Sequence, residues 1–260
     1  MMMTKPELQY SRPVNWDELE GLQQEFHGRI MYLAGGDYHP RVEETAAVLV
    51  DLQDLELDQV EFTDEAISLG GLCSLQQLGN ALESDDLLEA ISIEAGVNLR
   101  NSLSLNNYIR HSNGRSAVQV CLNALEAEYL LGGEEAFQKH SRSLKTKLDD
   151  DFLETIRVNQ PVSLAFASVA RSPKDQPIVM VAVSKRSEAR FHVACGGAES
   201  LDVSFDLYYG EDDGISTIKE LYKDADDAWA SAEYRQDIAA ILLSRCLQKL
   251  WRLSNTKEEA

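Results

Sequence analysis

The spacing of apolar residues changes once along this chain, near Gln160-Pro161, and that change limits the folds open to it. Before it, apolar positions recur at helical spacing; after it, they alternate as in half-buried strands. Helices first and closely spaced strands second read as α+β, because strands adjacent in sequence pair as antiparallel meanders. The expected fold is therefore α+β, with a helical N-terminal region plus a four-stranded antiparallel sheet backed by C-terminal helices. This places an acidic, mainly helical region at 1–160 and the sheet with its C-terminal helices at 161–260, as two units or one continuous domain.

The first part carries recognisable helix starts. Asn15 before Trp16-Asp17-Glu18 has a capping-box arrangement and opens a helix to about His27, with Gly28 as its stop. Pro40 suits a first helical position, and 40–54 reads as a helix with Val42, Ala46, Val48, Leu49 and Leu52 as its apolar members. Ser74-Leu75-Gln76-Gln77 is a second capping box. Ser84 precedes Asp85-Asp86, acids that complement a helix dipole, and Gly96 closes that helix. Ser116 to Leu131 and Glu134 to Ile156 read as two further helices, separated by Gly132-Gly133. The run Leu125 to Phe137 resembles a helical stretch of the bacterial uridylyltransferases that modify nitrogen-regulatory proteins. The Gly-Ser and Asp-x-Asp elements of that family are absent, so the resemblance carries no function across.

From Pro161 onward, Val162 to Val169, Ile178 to Val183, Ala189 to Ala194 and Leu201 to Tyr208 are β-rich runs. Centring the last turn on Ala198 sets Phe191 opposite Phe205 and Val193 opposite Val203, with Arg190 opposite Asp206 and His192 opposite Ser204. One face is then apolar and the other polar, as for a sheet covered by helices on one side. An apolar stripe from Ile218 to Leu250 supplies that cover, with a break near 224–234 giving two helices.

Charge narrows the function. The chain holds 44 acids against 24 bases, a net charge of −20, which excludes binding driven by phosphate neutralisation. Residues 42–99 contain 14 acids and no Lys or Arg, a single-sign block suited to steering a basic partner. The candidate partner-binding residues are Glu43, Glu44, Asp51, Asp54, Glu56, Asp58, Glu61, Asp64, Glu65, Asp85 and Asp86. On this basis the leading expectation is a non-catalytic acidic protein docking a basic protein partner. Immunity proteins, antitoxins, nucleic-acid-mimic inhibitors and secretion chaperones work in that way.

Two other readings stand beside it. Asp202, Asp206 and Glu211 form a candidate carboxylate set for a hard cation. Arg110 and Arg115 flank a helix start able to receive an anion. Either would suit a metal-dependent hydrolase or a nucleotide-processing enzyme, and a structural subunit of a larger assembly is the third reading. Gly35-Gly36-Asp37-Tyr38-His39-Pro40 has glycines for close approach and a His-Asp pair for acid–base work, yet also reads as a plain turn. His192 and Cys195 fall on opposite faces of one strand, which disfavours a Cys/His nucleophile. Cys73, Cys121, Cys195 and Cys246 lack metal-ligand or close disulfide spacing and read as reduced core thiols. No signature motif names a cofactor. Without an apolar leader or membrane span the chain is expected to be cytoplasmic, with no membrane or direct nucleic-acid binding and with homo-oligomerisation open.

Overall fold

The computed structural model describes residues 8–35, 46–132, 134, 136–138, 151–172, 175–198, 201–210 and 213–258, with side chains through residue 252. Its class is α+β, as the sequence implies. Among the described residues three sheets, rather than one, organise it.

The first sheet is parallel, in the order β1-β3-β2, from β1 (Gln9–Ser11), β2 (Ile30–Leu33) and β3 (Val48–Asp51). Helix α1 (Trp16–Phe26) links β1 to β2, and its N-cap Asn15 accepts from Glu18 N. Leu19 and Phe26 of α1 pack with Tyr32, Val48, Val50 and Phe152 into a small core. The helix expected over 40–54 is, in its described part, the central strand β3. A parallel strand covered on both faces reads as an unbroken apolar run, and Ala46 to Val50 is such a run.

The second sheet has the order β4-β5-β7-β6, from β4 (Val60–Phe62), β5 (Ala66–Gly70), β6 (Glu128–Leu131) and β7 (Leu153–Asn159). Five short helices lie between β5 and β6: α2 (Leu75–Leu82), α3 (Asp85–Glu94), α4 (Val97–Ser102), α5 (Leu105–His111) and α6 (Ala117–Ala124). The capping box at Ser74 and Gln77 and the Ser84 cap form as their spacing predicts. The helix expected over 116–131 stops at Ala124, because Glu126 turns left-handed at φ 50° and the chain re-enters as β6. The stretch resembling uridylyltransferases thus contains the strand β6 in place of a continuous helix. The helix expected to end at Ile156 instead has β7 at its end, and 139–150 lie outside the described residues.

The third sheet is the expected antiparallel meander, β11-β10-β9-β8, from β8 (Leu164–Val169), β9 (Val179–Lys185), β10 (Arg190–Gly196) and β11 (Val203–Tyr208). Its last register differs from the hand alignment by two residues: Phe191 pairs with Leu207, Val193 with Phe205 and His192 with Asp206. Gly197 draws the turn onward, its N–H donating to Gly114 O at 2.7 Å. An even shift preserves which face each side chain takes. Helices α7 (Ile215–Leu221) and α8 (Ala232–Glu258) confirm the expected break and cover the face carrying Val181, Val183, Phe191 and Val193.

The opposite face is not solvated as the polar pattern implied. Met180, Ala182 and Ala194 join a core with α3, α6 and the second sheet, and Ser184 is fully buried against Ala124 O. Its polar residues lie beside Glu126, which pairs with Arg186 at 3.1 Å and Arg190 at 2.7 Å. His192 contacts Asp206 there, whereas Cys195 sits in the core under α8. All four cysteines are buried free thiols, and burial pushes Cys73 up to about 11. Among the described residues no helix is long and apolar enough to cross a membrane.

Ser116 makes no side-chain cap for α6; Glu94 at the end of α3 takes that role, accepting from Val118 N at 3.1 Å. Burial pushes the Glu94 carboxyl up to about 7, against hydrogen bonds from Tyr108 and backbone N–H groups that favour its ionised form. Because the folded carboxyl holds its proton above the ordinary 4.5, the folded state binds more protons between those values and loses stability as pH rises through about 7. The loss is expected to reach up to about 3 kcal/mol. Urea denaturation from pH 4.5 to 8 is expected to show a flatter profile for Glu94→Gln than for the parent chain. Identical profiles would remove this assignment.

Candidate functional site

The parallel sheet directs attention to its carboxyl edge, where ligands bind in open α/β arrangements. There β2 runs through Leu33 and Ala34 into Gly35, whose φ of +76° suits glycine. A Cβ on Gly35 would lie 2.9 Å from Ser104 Cβ, so the strand end and the start of α5 meet without space for a side chain. Ser104 Oγ donates to Ala34 O at 2.7 Å and accepts from Asn107 N at 3.2 Å, closing the seam while capping α5.

The same seam collects two further elements. Leu105 N donates to Cys73 O and Asn106 N to Gly71 O, both at 2.8 Å, which joins α5 to the chain entering α2. Leu153 N, at the start of β7, donates to Asn106 Oδ1 at 2.7 Å. Gly71 is required because a Cβ there would lie 1.8 Å from Leu153 O. The first backbone donors of α5 are therefore spent inside the protein. Asn106 Nδ2 is not: it is buried and has no hydrogen-bond partner among the described residues. A buried donor left open costs about 1–3 kcal/mol, and an acceptor-bearing ligand would relieve that cost.

The residues singled out from sequence lie elsewhere. Asp51 is buried and accepts from Tyr10 and Gln53 N; Asp86 is buried and holds both Phe166 N and Lys249. Asp54 pairs with Arg12, while Glu56, Asp58, Glu61, Asp64, Glu65 and Asp85 are exposed. Glu43 and Glu44 lie outside the described residues, as do Asp37, His39 and Glu211. Arg110 donates to Asp151 O, and Arg115 pairs with Asp227 over the Trp229 ring, so the two arginines reach different partners. Asp202 accepts from Asn123 Nδ2. Burial raises the Asp206 carboxyl, but His192 and Arg190 outweigh it and hold the group below its ordinary value. Among the described residues no group of three His, Cys, Asp or Glu is placed to hold a metal.

Comparison with known proteins places this geometry. A family model described as "FAD binding domain in molybdopterin dehydrogenase" matches residues 6–157, which include both sides of the Gly35–Ser104 seam. The chain belongs to that family. It is 25% identical over 202 residues to the uncharacterised protein YgfM of Escherichia coli K12, covering 74% of this chain and 75% of that one. Its fold is that of quinoline 2-oxidoreductase from Pseudomonas putida 86, with TM-score 0.67, 17% identity and coverage of 95% and 98% of the two chains. Carbon monoxide dehydrogenase from Hydrogenophaga pseudoflava matches equally, with TM-score 0.67, 17% identity and coverage of 96% and 99%.

Family membership overturns the expectation of a non-catalytic binder of a basic partner, whether immunity-like, inhibitory or chaperone-like. The family is described as a domain of dehydrogenases, not of binding proteins. Net charge misled because it counts acids without placing them, and two of the candidate partner-binding acids, Asp51 and Asp86, are buried and internally paired. Of the seam, only Gly35 was singled out in the sequence, as part of the Gly35 to Pro40 run. Ser104 and Asn106 look like any polar helix start, and their roles arise from partners distant in sequence.

Ser104→Ala removes both the cap and the bond to Ala34. We expect it to lower the unfolding free energy by about 2 kcal/mol in urea titration. An unchanged midpoint would mean that the seam does not hold these elements together.

Proposed function

We propose that this chain holds FAD at the Gly35–Ser104–Asn106 seam and serves as the flavin-bearing component of a molybdopterin-dependent dehydrogenase. The observation that carries the proposal is the family match over 6–157, a span containing every residue of the seam from Ala34 to Leu153. The residues present fit such a group. Gly35 lets the end of β2 close on Ser104, which holds the start of α5 in place, and Asn106 Nδ2 is a buried donor without an acceptor among the described residues. FAD, when bound, supplies the uptake and release of electrons.

The chain's own residues bind and orient. Asn106 Nδ2 would donate to an acceptor of the cofactor, while Leu153 N, donating to Asn106 Oδ1, holds the amide in orientation. Ser104 is a positioning residue, since it holds Ala34 O and the α5 cap at once. The partner implied is a protein carrying a molybdopterin cofactor rather than a basic protein.

The test is reconstitution of the purified chain with FAD. One flavin is expected per chain, with a Tm that climbs with FAD concentration, equivalent to about 2.7 kcal/mol at a hundredfold excess over Kd. Asn106→Asp keeps an acceptor for Leu153 N but replaces the open donor, and is expected to weaken FAD binding tenfold or more. Absence of both retained flavin and a FAD-dependent Tm would overturn the proposal.

A further inference from the structure

A groove of about 600 Å³ lies outside the span matched by the family model, between the end of β11 and the last turns of α8. That size suits a small molecule. Phe191, Leu207 and Leu247 line it with apolar surface. Tyr209 and Trp251 form an aromatic corner, their rings tilted at 50° with centroids 5.4 Å apart. Both remain open to solvent, Tyr209 at 62% and Trp251 at 45% exposure. Leu247 and Trp251 share one face of α8 because they are four residues apart.

The charge of the groove has one sign. Asp213 lines it, exposed, while one of its oxygens accepts from Ile215 N at the start of α7. Among the described residues no Lys or Arg lines it. Open aromatic faces beside a carboxylate, without a competing cation, are the chemistry that recognises a positively charged organic group. We propose that this groove binds a small organic cation with a flat apolar body. Its charge lies against the Tyr209 and Trp251 rings and near Asp213, and its body lies on Phe191, Leu207 and Leu247.

The probe is benzyltrimethylammonium, with benzyl alcohol as its neutral counterpart, titrated into the full chain. The readout is the indole N–H signals of the three tryptophans in two-dimensional NMR, with Trp251→Phe identifying one of them. A saturable shift of the Trp251 signal is expected, with the cation binding about threefold or more tighter than the alcohol. Asp213→Asn keeps an acceptor for Ile215 N, and Tyr209→Ala alters an exposed side chain. Each is expected to weaken the cation by about threefold or more. No saturable shift, or equal binding of both probes that neither variant alters, would overturn the proposal. A Trp251 signal that moves with protein concentration alone would also overturn it, by assigning the groove to a second copy of the chain.

Discussion

Ser104 Oγ reaches the carbonyl of Ala34 across 70 residues of sequence, and through it the parallel sheet is tied to the helical segment. Asn106 extends the tie to β7 through Leu153 N and to the entry of α2 through Gly71 O. Such contacts are costly to bring together, because the chain between them must be closed into a loop. Among the described residues Asn106 Nδ2 is the one buried side-chain atom of this network without a hydrogen-bond partner. The arrangement needs Gly35 and Gly71 at points where a Cβ would collide, one with a side chain and one with a carbonyl. The family's cofactor has its proposed place where this network is incomplete.

The third sheet depends on the same economy of space. It is sandwiched, with α7 and α8 on one face and α3 and α6 on the other. Buried polar groups anchor both sides. Asp86 accepts from Phe166 N at 2.7 Å and pairs with Lys249 at 2.7 Å, bridging α3, β8 and α8. Arg235 is fully buried, yet its guanidinium donates to Ile178 O, Ala225 O and Asp227. A buried cation is tolerated when its donors are met in this way, and removal of one partner is far more costly than the pair is stabilising.

Electrostatics here separates into internal and external work. A long acidic block with no bases looks from sequence like a single recognition surface. In the fold, Asp51 and Asp86 turn inward and Asp54 meets Arg12, while exposed acids are spread over the loop before β4, the β4–β5 hairpin and the start of α3. The charge total constrains partners in a general way, whereas placement decides function.

What was legible in the sequence was local. The caps at Asn15, Ser74 and Ser84, the meander of β8 to β11 and the break before α8 all rest on neighbours within a few residues, so spacing and side-chain chemistry suffice to find them. The sequence also marked Gly35, though not that Ser104 packs against it. Tertiary structure decided the rest. Val48–Asp51 became a central parallel strand because β1 and β2 flank it, and the polar-looking face of the third sheet was buried because α6 packs there. Ser104 and Asn106 acquired their roles from Ala34, Gly71 and Leu153, contacts whose existence depends on the path of the whole chain and leaves no periodic trace in the residues themselves.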